Sequence, residues 1–194
     1  MPNGRRLIIP GVSLHVRQRG NNHCAIFGDD QDYETYLVML QSAASKFALD
    51  IHVYCLMTTH THLLVTPRTE EGPAKAMQQI GVRYVKYFNR RYERVGTLWT
   101  GRYQAKGIDD SLYWMSCLRY IEMNPVRAKL VIEPDQYRWS SHRAHIHGEG
   151  GEWLTSHPVI DALGENEEQR RRAYRATFTT SLTTAEIVRQ QLKD

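Results

Sequence analysis

The chain has 194 residues, a net charge of +4, 41% hydrophobic and 24% charged residues, which suits one domain with an appendage and a proper core. No stretch approaches the roughly 20 consecutive apolar residues of a membrane span, and the opening MPNGRRLIIPGVSLHV, broken by Pro10 and Gly11, is not expected to be a secretory signal. Cys24, Cys55 and Cys117 are scattered without a CxxC pair, which argues against a disulfide framework or structural zinc and for a reducing cytoplasm.

VSLHVRQR, residues 12–19, alternates like a half-buried strand. Asp29 and Asp30 precede the amphipathic run QDYETYLVMLQSAASKFA, and their charges suit a helix N-terminus. IHVYCLM is β-branched and aromatic and predicts a second strand; after Thr58-Thr59, HTHLLVTP predicts a third, closed by Pro67. A long helix is expected over EEGPAKAMQQIGVRYVKYFNRRYERVG, with a proline near its start and Gly96 just past its end. A shorter strand should lie over 103–108. Ser111 is the expected N-cap of SLYWMSCLRYIEMN, which should stop near Asn124 because Pro125 disfavours helical geometry before it. The order β-α-β-β-α-β then helix is that of an α+β, ferredoxin-like split βαβ sheet with helices on one face and a C-terminal helical extension. We expect a catalytic domain over 1–131. The extension over 132–194 begins irregularly in YRWSSHRAHIHGEGGEW and ends in short helices in ENEEQRRRAYRATF and TTAEIVRQQL.

Charge is concentrated between Pro73 and Lys106, where lysines and arginines interleave with Tyr84, Tyr87, Phe88, Tyr92, Trp99 and Tyr103. Such a stretch fits a polyanion whose bases can stack, and equally a solvated amphipathic helix. Charge alone does not decide between them.

Two features carry chemistry. In a strand, residues i and i+2 share a face, so His60 and His62 present two imidazoles side by side, a spacing that suits one divalent ion. HxH is a weak motif by itself, and His145 and His147 repeat it in a polar segment. A metal-binding (β/α)₈ barrel would need about 250 residues and a different element order. In RYIEMNPVRA, Tyr120 and Asn124 stand four apart and share a helix face. The phenol can attack phosphorus, and the amide carbonyl is a hard oxygen ligand suited to Mg²⁺ or Mn²⁺. The plainer reading is an amphipathic helix with Tyr120 half buried and Asn124 as its last residue.

HTHLLV after an apolar strand, YVKYFNRRYERVGTLWTGRY, and RYIEMNPVRAKLV followed by YRWSS together resemble the REP-associated tyrosine transposases. These are single-tyrosine members of the HUH endonuclease superfamily, beside the small insertion-sequence transposases. The likeness includes PGVSLHVRQRGNN and runs from about Leu7 to Ser141. It implies that His60 and His62 bind a divalent metal, Mg²⁺ or Mn²⁺, with Asn124 as third ligand. Tyr120 would be the nucleophile, forming a 5′-phosphotyrosine link to single-stranded or hairpin DNA. Tyr113, two turns earlier, is the rival nucleophile but lacks an amide four residues on. Arg83, Lys86, Arg90, Arg91 and Arg94 would then track phosphates while aromatics stack bases. Arg17, Arg19, Arg102 and Arg127 become phosphate contacts by position, with a helix-capping role competing for Arg127.

Two departures stand out. The family usually carries Pro-Asn where this chain has Thr58-Thr59, and a bulky apolar residue where it has Thr61. Thr61 should point into a core, where its hydroxyl needs a partner. The alternative function is a hairpin-DNA-binding module that no longer cuts; a small-molecule metal hydrolase is a third. Relatives differ in pairing subunits, so a homodimer stays open.

Overall fold

Alternating apolar and β-branched residues build four strands: β1 (Ser13–Arg19), β2 (Leu49–Met57), β3 (His60–Pro67) and β4 (Gln104–Ile108). Helix α1 (Asp30–Lys46) joins β1 to β2, and α2 (Gly72–Arg91) joins β3 to β4, in a computed structural model that describes residues 7–179. The strands lie in the order β2-β3-β1-β4 with every neighbouring pair antiparallel. This is the split βαβ plan that the element order predicts.

Period-two alternation gives the sheet two apolar faces. Leu14, Val16, Leu63 and Val65 meet Tyr36 and Leu40 of α1 and Ile80 and Tyr84 of α2. On the other face, Cys55, Met57, Leu64 and Ile108 meet Trp114, Cys117, Leu118 and Ile121 of α3 (Ser111–Glu122). Helices thus cover both faces, α1 and α2 one of them and α3 the other. A register shift between Ile51 and Val53 flips the alternation within β2, so Ile51 faces α1 while Val53 faces α3. His52, the extra residue, is held at Thr66 Oγ1 (2.8 Å) and the Thr155 carbonyl (2.7 Å).

Several boundaries differ from the sequence reading. Helix α2 ends at Arg91, where the Tyr92 N–H bonds the Phe88 carbonyl. Gly96, with φ +88°, therefore serves the following loop and not the helix end. Asp110, not Ser111, caps α3; its carboxylate accepts from the Tyr113 N–H at 2.6 Å. Helix α3 stops at Glu122, and Asn124 opens α4 (Asn124–Arg127), whose first turn takes Pro125 without loss because an N–H there is unneeded. The segment expected to be irregular contains α5 (His142–His147), and two further helices follow, α6 (Pro158–Asp161) and α7 (Glu167–Ala176). TTAEIVRQQL lies outside the described residues.

The C-terminal segment closes two weaknesses of the sheet. A bare β2 edge would be a template for pairing with other chains. Instead the Leu56, Ser141 and Thr155 N–H groups bond the Trp139, Tyr54 and Ile51 carbonyls at 2.8–3.0 Å. Glu122, fully buried at the end of α3, accepts from Ser141 Oγ (2.6 Å), Tyr174 Oη (2.6 Å), His142 Nδ1 (2.6 Å) and His145 Nδ1 (2.9 Å). Burial by itself would raise its pKa, but the His145 and His142 rings and their hydrogen bonds outweigh that and hold it well below the usual carboxylate range. His145 is thereby tied into the core.

Breaking this cluster should be costly. Glu122→Gln keeps the shape but removes the charge, and should lose about 3–5 kcal/mol in urea unfolding at pH 7. Because the folded pKa is depressed, the contribution of Glu122 is complete above its unfolded pKa of about 4.3 and is lost as pH falls below it. The variant should accordingly lose less stability than wild type between pH 6 and pH 3. Equal acid sensitivity would contradict this assignment.

Candidate active site

The antiparallel β1–β3 register sets Arg17 opposite His62 and Arg19 opposite His60. Residues directly opposite in a sheet share a face, so both imidazoles and both arginines lie on the side covered by α3. The His60 and His62 ring centroids are 5.0 Å apart. His62 is buried and its Nδ1 lies 2.8 Å from Nε2 of His15, the two rings lying end to end with centroids 5.1 Å apart. Nδ1 of His60 lies 3.0 Å from Thr59 Oγ1. Nε2 of each of the paired histidines makes no hydrogen bond among the described residues.

These rings are neutral at pH 7. Burial first, then the charges of Arg17 and Arg19, push the His60 pKa down to about 4. Burial, His15, His60, Arg17 and Arg127 hold that of His62 well below the usual range, and burial with Arg17 and Lys106 lowers that of His15 to about 3.

Helix α3 brings the phenol to the pair. The Tyr120 ring lies edge-on to His62 at 5.8 Å and to His15 at 6.0 Å, and the Arg127 guanidinium sits over its face at 4.8 Å. The Tyr120 hydroxyl makes no hydrogen bond among the described residues. Asn124, one turn on, donates from Nδ2 to the Tyr120 (2.8 Å) and Ile121 (3.2 Å) carbonyls. Pro125 has no N–H for the last carbonyls of α3, and the amide supplies one in its place. Its Oδ1 has no partner among the described residues. Tyr113, the rival, is buried under Lys106, whose Nζ is 5.2 Å from the ring centre.

Two neutral imidazole nitrogens and one amide oxygen make no hydrogen bond among the described residues, and these donor types fit a divalent cation. Among the described residues no group of three or more His, Cys, Asp or Glu side chains could hold a metal.

The other expected contacts divide. Arg83, Lys86 and Arg90 are exposed on α2, without an ion pair among the described residues. Arg91 is committed to Asp29 (2.5 Å) and buried Asp32 (2.8 Å), and Arg94 packs over Phe88 at 5.6 Å. Arg102 is exposed. Most of the interleaved aromatics build core: Tyr84, Phe88, Trp99 and Tyr103 are buried, while half-buried Tyr87 and exposed Tyr92 donate their hydroxyls to Asp32. The sequence reading did not single out His15. The alternation that put Arg17 and Arg19 on one face put His15 there too, and was the available signal.

Residues 10–124 match the family described as Transposase IS200 like. No curated protein matches the sequence. Among solved structures, a REP-associated tyrosine transposase bound to a REP hairpin superposes with TM-score 0.61 at 17% identity, over 82% of this chain and 90% of that one. A tRNA(His) guanylyltransferase from Saccharomyces cerevisiae gives 0.50 at 10% identity, over 92% and 82%. A putative transposase from Deinococcus radiodurans gives 0.43 at 16% identity, over 67% and 92%. At such identities, the likeness to the first of these structures shows shared fold alone.

Thr61, between the two histidines, faces α1 and is 1% exposed; its hydroxyl and that of Tyr36 are both buried without a hydrogen-bond partner among the described residues. The two are near enough for Thr61 to ease Tyr36 ionisation slightly against the burial that raises it, but no good bond closes. Thr61→Val should therefore stabilise by about 1 kcal/mol, raising the melting temperature by roughly 2–4 °C. Calorimetry that showed a loss of similar size would mean the hydroxyl is satisfied.

Proposed function

The chain belongs to the IS200-like transposase family, and from that premise we propose that it is a metal-dependent single-stranded DNA strand transferase working through Tyr120. One observation carries the reading: the Tyr120 ring rests against His62, at 5.8 Å, within a single chain. The solved neighbour is a complex with a REP hairpin, which supports hairpin-containing DNA as substrate.

In this mechanism the Tyr120 oxygen attacks a phosphodiester phosphorus. A Tyr–O–P bond forms, the P–O3′ bond breaks, the phenolic proton is lost and the leaving 3′ oxygen gains one. The product is a 5′-phosphotyrosine with a free 3′-hydroxyl. Because the ester bond is conserved, a second 3′-hydroxyl can reverse the step and join strands without ATP. A cation, Mg²⁺ or Mn²⁺, held by His60, His62 and Asn124 would polarise the phosphoryl oxygen when bound. Arg127 over the phenol stabilises developing phenolate charge, and Arg17 and Arg19 hold the phosphate beside the imidazoles. Three arginines around a cation site also mean that metal and phosphate each favour the other's binding.

Asn124 has two tasks here. Its Nδ2 caps α3 and thereby fixes the amide group, whose Oδ1 is the proposed third ligand. Arg83, Lys86 and Arg90 lie on α2, with the sheet between them and the histidines, so DNA engaging both surfaces must pass an edge of the sheet.

With hairpin-bearing single-stranded DNA and Mn²⁺, wild type should form a covalent adduct that survives denaturing electrophoresis. Tyr120→Phe should form none while still binding DNA, and Tyr113→Phe should keep the adduct. DNA binding by wild type with no adduct would instead support a non-catalytic hairpin-binding module. Neutralising Arg83, Lys86 and Arg90 together should weaken hairpin binding. The slope of log K against log salt should then fall by about 0.9 for each duplex phosphate these side chains neutralise in wild type. An unchanged slope would remove α2 from the DNA interface.

A further inference from the structure

His15 has no part in the chemistry above, yet it is 0% exposed and joined to His62 by a 2.8 Å hydrogen bond between Nε2 and the His62 Nδ1. Its ring lies end to end with that of His62, their planes 28° apart, and meets Tyr120 edge-on. Its own Nδ1 is buried and has no hydrogen-bond partner among the described residues. An orphaned buried nitrogen is unusual and calls for a reason.

Tautomer chemistry supplies one. A neutral imidazole that gives its Nε2 lone pair to a cation must carry its proton on Nδ1. His62 Nδ1–H then needs an acceptor, and the atom at hydrogen-bond distance is His15 Nε2. His15 in turn must carry its proton on Nδ1, the nitrogen left without a partner. In the opposite tautomer His15 Nε2–H donates, the proton on His62 moves to Nε2, and that nitrogen is closed to a cation. We propose that His15 is a positioning residue: it accepts the His62 Nδ1 proton and so keeps the His62 Nε2 lone pair, and the ring that carries it, directed at the cation site. The orphaned nitrogen is then a consequence of serving His62. This inference rests on the reading of His60 and His62 as metal ligands. Partners of this kind, behind a ligating histidine, commonly change metal affinity 10–100-fold.

The test uses the full chain with Mn²⁺ alone, its affinity measured by calorimetry or by loss of the free-ion EPR signal. His15→Phe keeps a planar ring at the position but removes the acceptor, and should bind Mn²⁺ about 10–100-fold more weakly. His15→Gln retains an acceptor oxygen and should stay within about threefold of wild type, in keeping with a role that needs only the acceptor. His62→Ala should lose the site. Wild-type affinity in His15→Phe, or equal losses in the Phe and Gln variants, would overturn the positioning role while leaving the metal reading intact. Unchanged affinity in His62→Ala would overturn that reading and the inference together. Should the variants fail to fold, long-range ¹H–¹⁵N correlation spectra of wild type titrated with Mg²⁺ decide the matter. Protons on Nδ1 of both His62 and His15 are expected, and a proton on His62 Nε2 in the loaded protein would contradict the proposal.

Discussion

Everything at this site depends on the register between β1 and β3. Pairing Arg17 with His62 and Arg19 with His60 places two imidazoles and two guanidinium groups on one face of the sheet. A slip of one residue would turn every side chain of β1 to the opposite face and bury the arginines against α1 and α2. The apolar partners prevent that slip, since Leu14 and Val16 must meet the α1–α2 layer. Packing on one face thus fixes chemistry on the other. The β2 bulge at His52 extends the same division, giving α3 the flat apolar bed of Val53, Cys55 and Met57 on which Tyr120 is carried to the histidines.

Polar groups finish what the apolar layers begin. The α3–α4 junction, where the proposed nucleophile and the proposed amide ligand sit, is held by Asn124 from within and by Glu122 from the C-terminal side. Both are buried polar side chains placed at a helix end, where carbonyls lack partners and proline removes a donor. The segment beyond α4 therefore belongs to the stability of the site region, although it lies outside the matched family region of 10–124.

Much of this was legible in the sequence, and for physical reasons. Strand alternation, the acidic start of α1 and the proline at 125 are local signals, so the element order and the faces of His60, His62, Tyr120 and Asn124 could be read directly. The roles of Arg91 and the aromatics of α2 could not. Their partner, Asp32, stands about sixty residues earlier, and a basic aromatic helix looks the same whether its side chains meet a carboxylate or a phosphate. The partners of Glu122 come from positions 141, 142, 145 and 174, a convergence no periodicity reveals. His15 was visible as a neighbour of Arg17, but its contact with His62 exists only once β1 and β3 pair. Helix ends were the remaining misses, because Asp110 and Ser111 are both competent caps and only geometry chooses between them.

The account holds that one chain supplies both the histidine pair and the tyrosine. Mixing Tyr120→Phe with His62→Ala, each inactive alone, tests this most directly. If the site is assembled within a chain, no combination of the two proteins restores the covalent DNA adduct on a hairpin substrate. Adduct formation by the mixture, traced to the tyrosine of the His62→Ala protein, would show that the phenol is delivered from a second subunit and would contradict the arrangement described here.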